Sequence, residues 1–158
     1  MTRKYMNERW CVRCNKSDPT PYLKKYDQLL QRSERALDIG CGNGRNTKYM
    51  EKLGLKVDSI DMAGDFGKKC ILGEDPLPKR KYGVIIANYV LMFLNTRERY
   101  KVMKDINERS KVGTIFMAEM YPAKDAHSYD TNKIVGYFIK RGWTKVRKAK
   151  DRFILRKD

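Results

Sequence analysis

The 158-residue sequence contains one histidine, His127, four cysteines and no long apolar run. Its longest apolar stretch, around Val84–Leu94, is interrupted by Asn88 and falls well short of the roughly 20 residues a membrane helix needs. The N-terminus, Met1-Thr2-Arg3-Lys4-Tyr5, starts basic but leads into neither an apolar segment nor a small-residue cleavage site. The expectation is therefore an intracellular, cytoplasmic protein outside the membrane. Cys11 and Cys14 form a C-x-x-C pair, yet a structural zinc needs four ligands. No second pair accompanies them, and His127 is far away in sequence. Reduced, unligated thiols are favoured over a redox pair or a zinc shared between two chains, and no metal is expected. Repeats, low-complexity tracts and Ser/Gly linkers are absent as well. One domain over residues 1–158 follows, with 1–19 as an N-terminal segment that offers a lid.

What the chain has in excess is positive charge. Lys and Arg number 35 against 19 Asp and Glu, a formal net charge of +16, and 41% of residues are hydrophobic. That balance fits a globular fold with a real core. Helical and strand periods alternate, which predicts an α/β protein with a mostly parallel sheet. Thr20-Pro21 reads as a helix start, Thr capping and Pro in the first turn, with Tyr22, Leu23, Tyr26, Leu29 and Leu30 on one face. Strands are expected at 35–39, 56–61, 69–72, 82–87 and 114–120. Helices are expected at 45–53, closed by Gly54, after Asn95 with Glu98 completing a capping box, and from Asp130 to Gly142. The tail, 143–149 and 152–157, reads as an antiparallel hairpin and brings the strands to seven. Only Met62 to Lys68 separates the second strand from the third, so the second crossover must lack a full helix.

The chemistry sits in Leu37-Asp38-Ile39-Gly40-Cys41-Gly42-Asn43-Gly44-Arg45-Asn46. A strand runs into three glycines at alternate positions and then into a helix, which permits a tight turn and a ligand laid against main chain. A dinucleotide fingerprint needs its third glycine three residues after the second, where this chain has Arg45. A P-loop needs Gly-Lys-Ser/Thr, which is missing.

Asp-x-Gly-x-Gly-x-Gly after a first strand resembles motif I of the class I S-adenosylmethionine (SAM)-dependent methyltransferases. The resemblance runs from about Pro21 to the C-terminus and implies their Rossmann-like three-layer sandwich, closed by an antiparallel last strand. By this resemblance Asp38 orients the methionine end of SAM, and Gly40, Cys41, Gly42, Gly44 and Asn46 lie along the cofactor. Asp61, seventeen residues after Gly44 and with Met62 beside it, matches the acid that binds the ribose hydroxyls. Glu74 and Asp75 match the adenine-contacting segment, and Val84–Leu91, with Asn88, the fourth-strand motif beside the methyl group. SAM as donor and S-adenosylhomocysteine (SAH) as product follow. The short second crossover departs from the family and leaves the adenine side more open.

Three absences narrow the acceptor. The fourth strand ends in Asn88-Tyr89-Val90-Leu91 rather than the Pro-Pro-aromatic signature of base-amine enzymes, no Pro-Cys offers a cytosine-C5 nucleophile, and no acidic cluster suggests a catechol-type metal. An O- or N-methyltransferase acting on a small molecule is the leading expectation. Asn88, Tyr121 and His127 are the catalytic candidates, with Glu119 beside them in a loop after the fifth strand, and His127 suited to base chemistry near neutral pH. Trp10 and Tyr22 are lid candidates, core packing being the favoured role. Lys133–Asp158 carries net +8 with Tyr137, Trp143 and Phe153 interleaved, which suits RNA or DNA contact as well as a solvated sheet edge. A nucleic-acid methyltransferase and a catalytically silent SAM-fold binding protein are the alternatives.

Overall fold

The computed structural model describes residues 17–30, 33–121 and 130–158. Strands β1 (Arg35–Ile39), β2 (Lys56–Asp61), β3 (Lys68–Lys69), β4 (Tyr82–Asn88), β5 (Ser110–Glu119), β6 (Trp143–Lys148) and β7 (Arg152–Lys157) form one sheet, ordered β3-β2-β1-β4-β5-β7-β6. The first five strands are parallel, whereas β7 enters antiparallel beside β5 and pairs outward with β6.

Seven consecutive residues of β4 are buried, because helices cover both faces of the sheet. On one face, Leu37, Ile85, Phe116 and Phe153 pack with α3 (Thr96–Glu108) and α4 (Thr131–Ile139). On the other, Ala36, Val84, Ile86, Met117 and Ile154 pack with α1 (Pro21–Lys25) and α2 (Arg45–Lys52). The mostly parallel α/β sheet expected from the alternating pattern is therefore present, and so is the three-layer sandwich that the resemblance implies. Phe116 meets Phe138 and Phe153 edge-on at 5.1 and 5.3 Å, and Phe138 meets Trp143 at 5.2 Å. These contacts fasten α4 and the hairpin to β5; each fully buried aromatic is worth ~2–3 kcal/mol.

The local punctuation follows the sequence closely. Asn95 Oδ1 accepts from the Glu98 amide and Glu98 Oε2 from the Asn95 amide, closing the capping box of α3. Asp130 caps α4 by accepting from the Asn132 amide at 2.9 Å. Three of these bounds need correction. The third strand is residues 68–69 instead of 69–72, and it pairs only with Ile60 and Asp61 at the end of β2. Because β3 begins beside the end of β2, the chain need not run back the length of a strand, and the helix-free link 62–67 suffices. The fifth strand begins earlier than expected, at Ser110, with an irregularity in its pairing between Tyr82 and Val84. The first helical pattern also divides, into α1 and a 3-10 turn at Asp27–Leu29.

Candidate active site

The glycine loop, 40–44, follows β1 and lies beside the carboxyl end of β2 and the segment after β4. Gly40 has φ +71°, and a Cβ there would lie 2.8 Å from Val90 Cγ2; Gly44 has φ +81°, and a Cβ would lie 2.3 Å from the Phe66 ring. Both positions thus require glycine for conformation and for space. The bare main chain that the sequence offers to a ligand is, at these two residues, partly covered by the chain's own Val90 and Phe66. Phe66 comes from the link 62–67, so the missing crossover helix is replaced by a segment folded onto the loop.

Asp61 ties the loop to β2. Its Oδ2 accepts from the Gly42 amide at 3.0 Å and its Oδ1 from the Ala63 amide at 2.8 Å. Asp38 lies deeper, at 2% exposure, and accepts from Thr47 Oγ1 at 2.6 Å. Thr47, from α2, also stands 2.7 Å from Ser59 Oγ on β2, so one hydroxyl knits β1, β2 and α2. Burial pushes the Asp38 pKa up to about 6; the Thr47 hydroxyl opposes this and the nearby Asp61 charge reinforces it. Cys41 is buried, and desolvation with the two carboxylates pushes its thiol up to about 12, which leaves it an inert packing group.

A second polar group lies one strand further along. Asn88 and Glu119 are register partners on β4 and β5, and Glu119 faces Arg152 on β7. Partners in register share a face, here the one covered by α1 and α2. Asn88 Nδ2 donates to Thr20 Oγ1 at 3.1 Å, and the Thr20 amide donates to Asn46 Oδ1 at 2.9 Å. Thr20 therefore gives its side chain to the site and makes no side-chain cap on α1, contrary to the local reading. Tyr89 leaves β4 with φ +57°, a costly conformation for a bulky residue, and its hydroxyl donates to Glu119 Oε1 at 3.3 Å. Burial raises the Glu119 pKa, while the Thr20 hydroxyl and the Arg152 charge pull it down.

The structure brings Asp38, Cys41, Gly42, Asn46, Asp61 and Asn88 to one end of the sheet. Met62 follows Asp61 and packs half-buried on the core. Glu74 and Asp75 sit in the turn after β3. Asp75 Oδ2 closes that turn on the Ile71 amide at 2.8 Å, and the Glu74 carbonyl accepts from Lys101 Nζ. Tyr121 meets Tyr89 at a tilt and Phe93 edge-on, with centroids 5.5 and 5.8 Å apart. Glu119 ends β5, buried at 3% exposure, and does not lie in the following loop. Tyr22 is buried core, and not a lid. His127, Trp10, Cys11 and Cys14 lie outside the described residues. Among the described residues, no cluster of three or more His, Cys, Asp or Glu could hold a metal, and no helix is long and apolar enough to cross a membrane. Thr20, Thr47, Tyr89, Phe66 and Arg152 escaped the sequence reading because each enters the site through contacts distant along the chain.

Comparison with known proteins agrees with this geometry. A family model described as "Methyltransferase domain" matches residues 3–148. The curated "Probable S-adenosyl-L-methionine-dependent methyltransferase TehB" of Haemophilus influenzae is 29% identical over 94 residues, 50% of this chain and 33% of that protein. The match thus spans about a third of the curated relative's length. Among solved structures, a TehB-like SAM-dependent methyltransferase from Corynebacterium glutamicum superposes with a TM-score of 0.72 at 16% identity, over 98% of this chain and 97% of that one. The 1,6-didemethyltoxoflavin-N1-methyltransferase of Burkholderia thailandensis gives 0.72 at 14% identity, over 98% and 84%. With strand order, glycine loop and paired acids in place, the chain belongs to the methyltransferase-domain family and has the class I SAM-dependent methyltransferase fold.

Proposed function

We propose that the protein transfers a methyl group from SAM to an oxygen or nitrogen of a small-molecule acceptor. The observation that carries this reading is electrostatic. In a chain of net charge +16, the carboxylates of Asp38 and Asp61 converge behind the glycine loop. Such a site suits a ligand with cationic and hydroxyl groups and disfavours a polyphosphate.

The residues present fit the family's cofactor. An ionised carboxylate has about four lone-pair sites. Asp61, half-buried, uses two of them on the Gly42 and Ala63 amides and retains acceptor capacity for a pair of ribose hydroxyls. Asp38 lends negative charge toward the methionine end, the loop around Gly40, Gly42 and Gly44 supplies main-chain polar groups, and Glu74 and Asp75 border the adenine side. SAM supplies an electrophilic methyl on a sulfonium, and the transfer is an in-line displacement. The protein's task is to hold the acceptor in line and exclude water; such positioning is worth up to ~7–11 kcal/mol. Asn88 stands nearest that task among the described candidates, held by Thr20. The Burkholderia structure contains bound 1,6-didemethyltoxoflavin and SAH, which supports a small-molecule acceptor here.

One observation favours a second reading. Lys145, Arg147, Lys148 and Lys150 are exposed along the edge strand β6 and the turn after it, a stripe that suits a phosphate backbone. Radiolabelled SAM incubated with protein and cell extract, then split by size and nuclease treatment, decides between them. Label in the small-molecule filtrate supports the proposal, and label in a nuclease-sensitive fraction supports the alternative. Absence of calorimetric heat with both SAM and SAH would overturn both.

A further inference from the structure

Glu119 and Asn88 each contain a buried polar atom that no described residue satisfies, Glu119 Oε2 and Asn88 Oδ1. They are register neighbours at the carboxyl ends of β4 and β5, at 3% and 8% exposure. A fold that needed only packing would place apolar side chains here, as it does two residues earlier on the same face at Ile86 and Met117. An unpaired buried carboxylate oxygen is strongly unfavourable, since its lost hydration has no replacement. Neither neighbouring donor reaches Oε2 within hydrogen-bond distance: the Thr20 hydroxyl, which draws the Glu119 pKa down, accepts from Asn88 Nδ2, and Arg152 is turned elsewhere. Arg152, opposite Glu119 on β7, pairs its Nε with Asp151 Oδ1 at 3.2 Å and lies 5.3 Å from the Tyr22 ring centroid. Tyr89 satisfies Oε1 alone, and its strained backbone keeps that hydroxyl in place.

We propose that Glu119 is the acceptor-reading residue of this site, and that the acceptor is a small neutral or cationic compound whose N–H or O–H group donates to Glu119 Oε2. The inference rests on the methyl-transfer reading above. It narrows the acceptor class: a donor restores the hydrogen bond missing in the free protein, a compound without one leaves Oε2 unsatisfied, and a carboxylate or phosphate is repelled. Tyr89, tilted against Tyr121, presents an aromatic wall beside the carboxylate, which suits amines on flat rings or N–H heterocycles.

The test compares wild type with Glu119→Gln, which retains the shape and removes the charge. Each is incubated with tritiated SAM and the small-molecule fraction of a cell extract, while SAH affinity is measured by calorimetry. The expected result is at least a tenfold loss of label in Glu119→Gln with SAH affinity within twofold of wild type, and wild-type products that bind a cation exchanger or contain a methylated N–H or O–H group. Transfer retained within twofold by the variant would overturn the inference. So would a tenfold loss of SAH affinity, which would assign Glu119 to the donor. A wild type that binds SAH but labels nothing would remove the methyl-transfer reading itself, and this inference with it.

Stability gives an independent readout. Glu119 is faced by the Thr20 and Tyr89 hydroxyls, Tyr22, Arg152 and Arg45. Its pKa is raised on folding, so its carboxylate costs stability as pH rises through that value. Glu119→Gln should therefore melt at or above wild type at pH 8 and approach it near pH 4. A melting temperature several degrees lower at pH 8 would mark a structural carboxylate and overturn the assignment.

Discussion

Replacing Asp38 with asparagine separates what this carboxylate does for the fold from what it does for a ligand. Asp38 is 2% exposed, and its folded pKa, about 6, stands above the ordinary value of 3.8. A group shifted in that direction contributes its full stability below pH 3.8 and loses it as pH rises through about 6. At roughly 1.4 kcal/mol for each tenfold change in proton affinity, the ionised side chain costs the free protein about 3 kcal/mol at pH 8. The cost at pH 4 is less than about 1 kcal/mol. Asparagine retains the shape and an oxygen for the Thr47 hydroxyl, so Asp38→Asn should be more stable than wild type by about 3 kcal/mol at pH 8, with the difference fading toward pH 4. For a chain of this size that is roughly 6–12 °C in melting temperature. Urea titrations of both proteins across this pH range measure it directly. SAH at a thousand times its Kd should reverse the ranking, because it adds about 4.1 kcal/mol only where it still binds. An Asp38→Asn protein equal to or less stable than wild type at pH 8, or a difference independent of pH, would refute the reasoning.

Three further substitutions probe other joints of the site. Asp61→Ala leaves the Gly42 and Ala63 amides without their acceptor; it should lower SAH affinity tenfold or more by calorimetry and cost about 1–3 kcal/mol in urea titration. Gly44→Ala forces a side chain into φ +81° against Phe66, and should lose at least about 1–2 kcal/mol. Adding Phe66→Ala relieves the clash but not the backbone strain, so the double variant should stay below Phe66→Ala alone. Arg99 is buried and donates from Nε to the Leu91 carbonyl at 2.9 Å, and also to the Leu94 carbonyl. Arg99→Met should cost about 2–4 kcal/mol and accelerate amide exchange in residues 89–95, the loop that carries Tyr89 and Val90.

What the sequence by itself determined is what short-range physics decides. The three alternate glycines between β1 and α2, the capping box at Asn95 and Glu98, Asp130 before α4, and the unbroken apolar run of β4 all act through residues a few positions apart. The short second crossover was legible too, as a count of residues too few for a helix. The position of Asp61 at the end of β2 followed from a strand pattern and its distance from Gly44. Only the tertiary structure decided what depends on partners far along the chain. Thr20 looks like a helix cap, yet Asn46 and Asn88, 26 and 68 residues away, draw its main chain and hydroxyl into the site. Tyr22 suits either a lid or the core along the chain, and the apolar cluster it joins with Val84, Met117 and Ile154 buries it. Glu119 falls at the end of the expected strand 114–120 yet reads as one of the loop candidates, because a buried carboxylate is costly and pattern reasoning assigns buried positions to apolar side chains. The sheet overrode that preference by pairing Glu119 with Asn88 and Arg152. That unfavourable placement, invisible along the chain, is the observation on which the proposed acceptor selectivity rests.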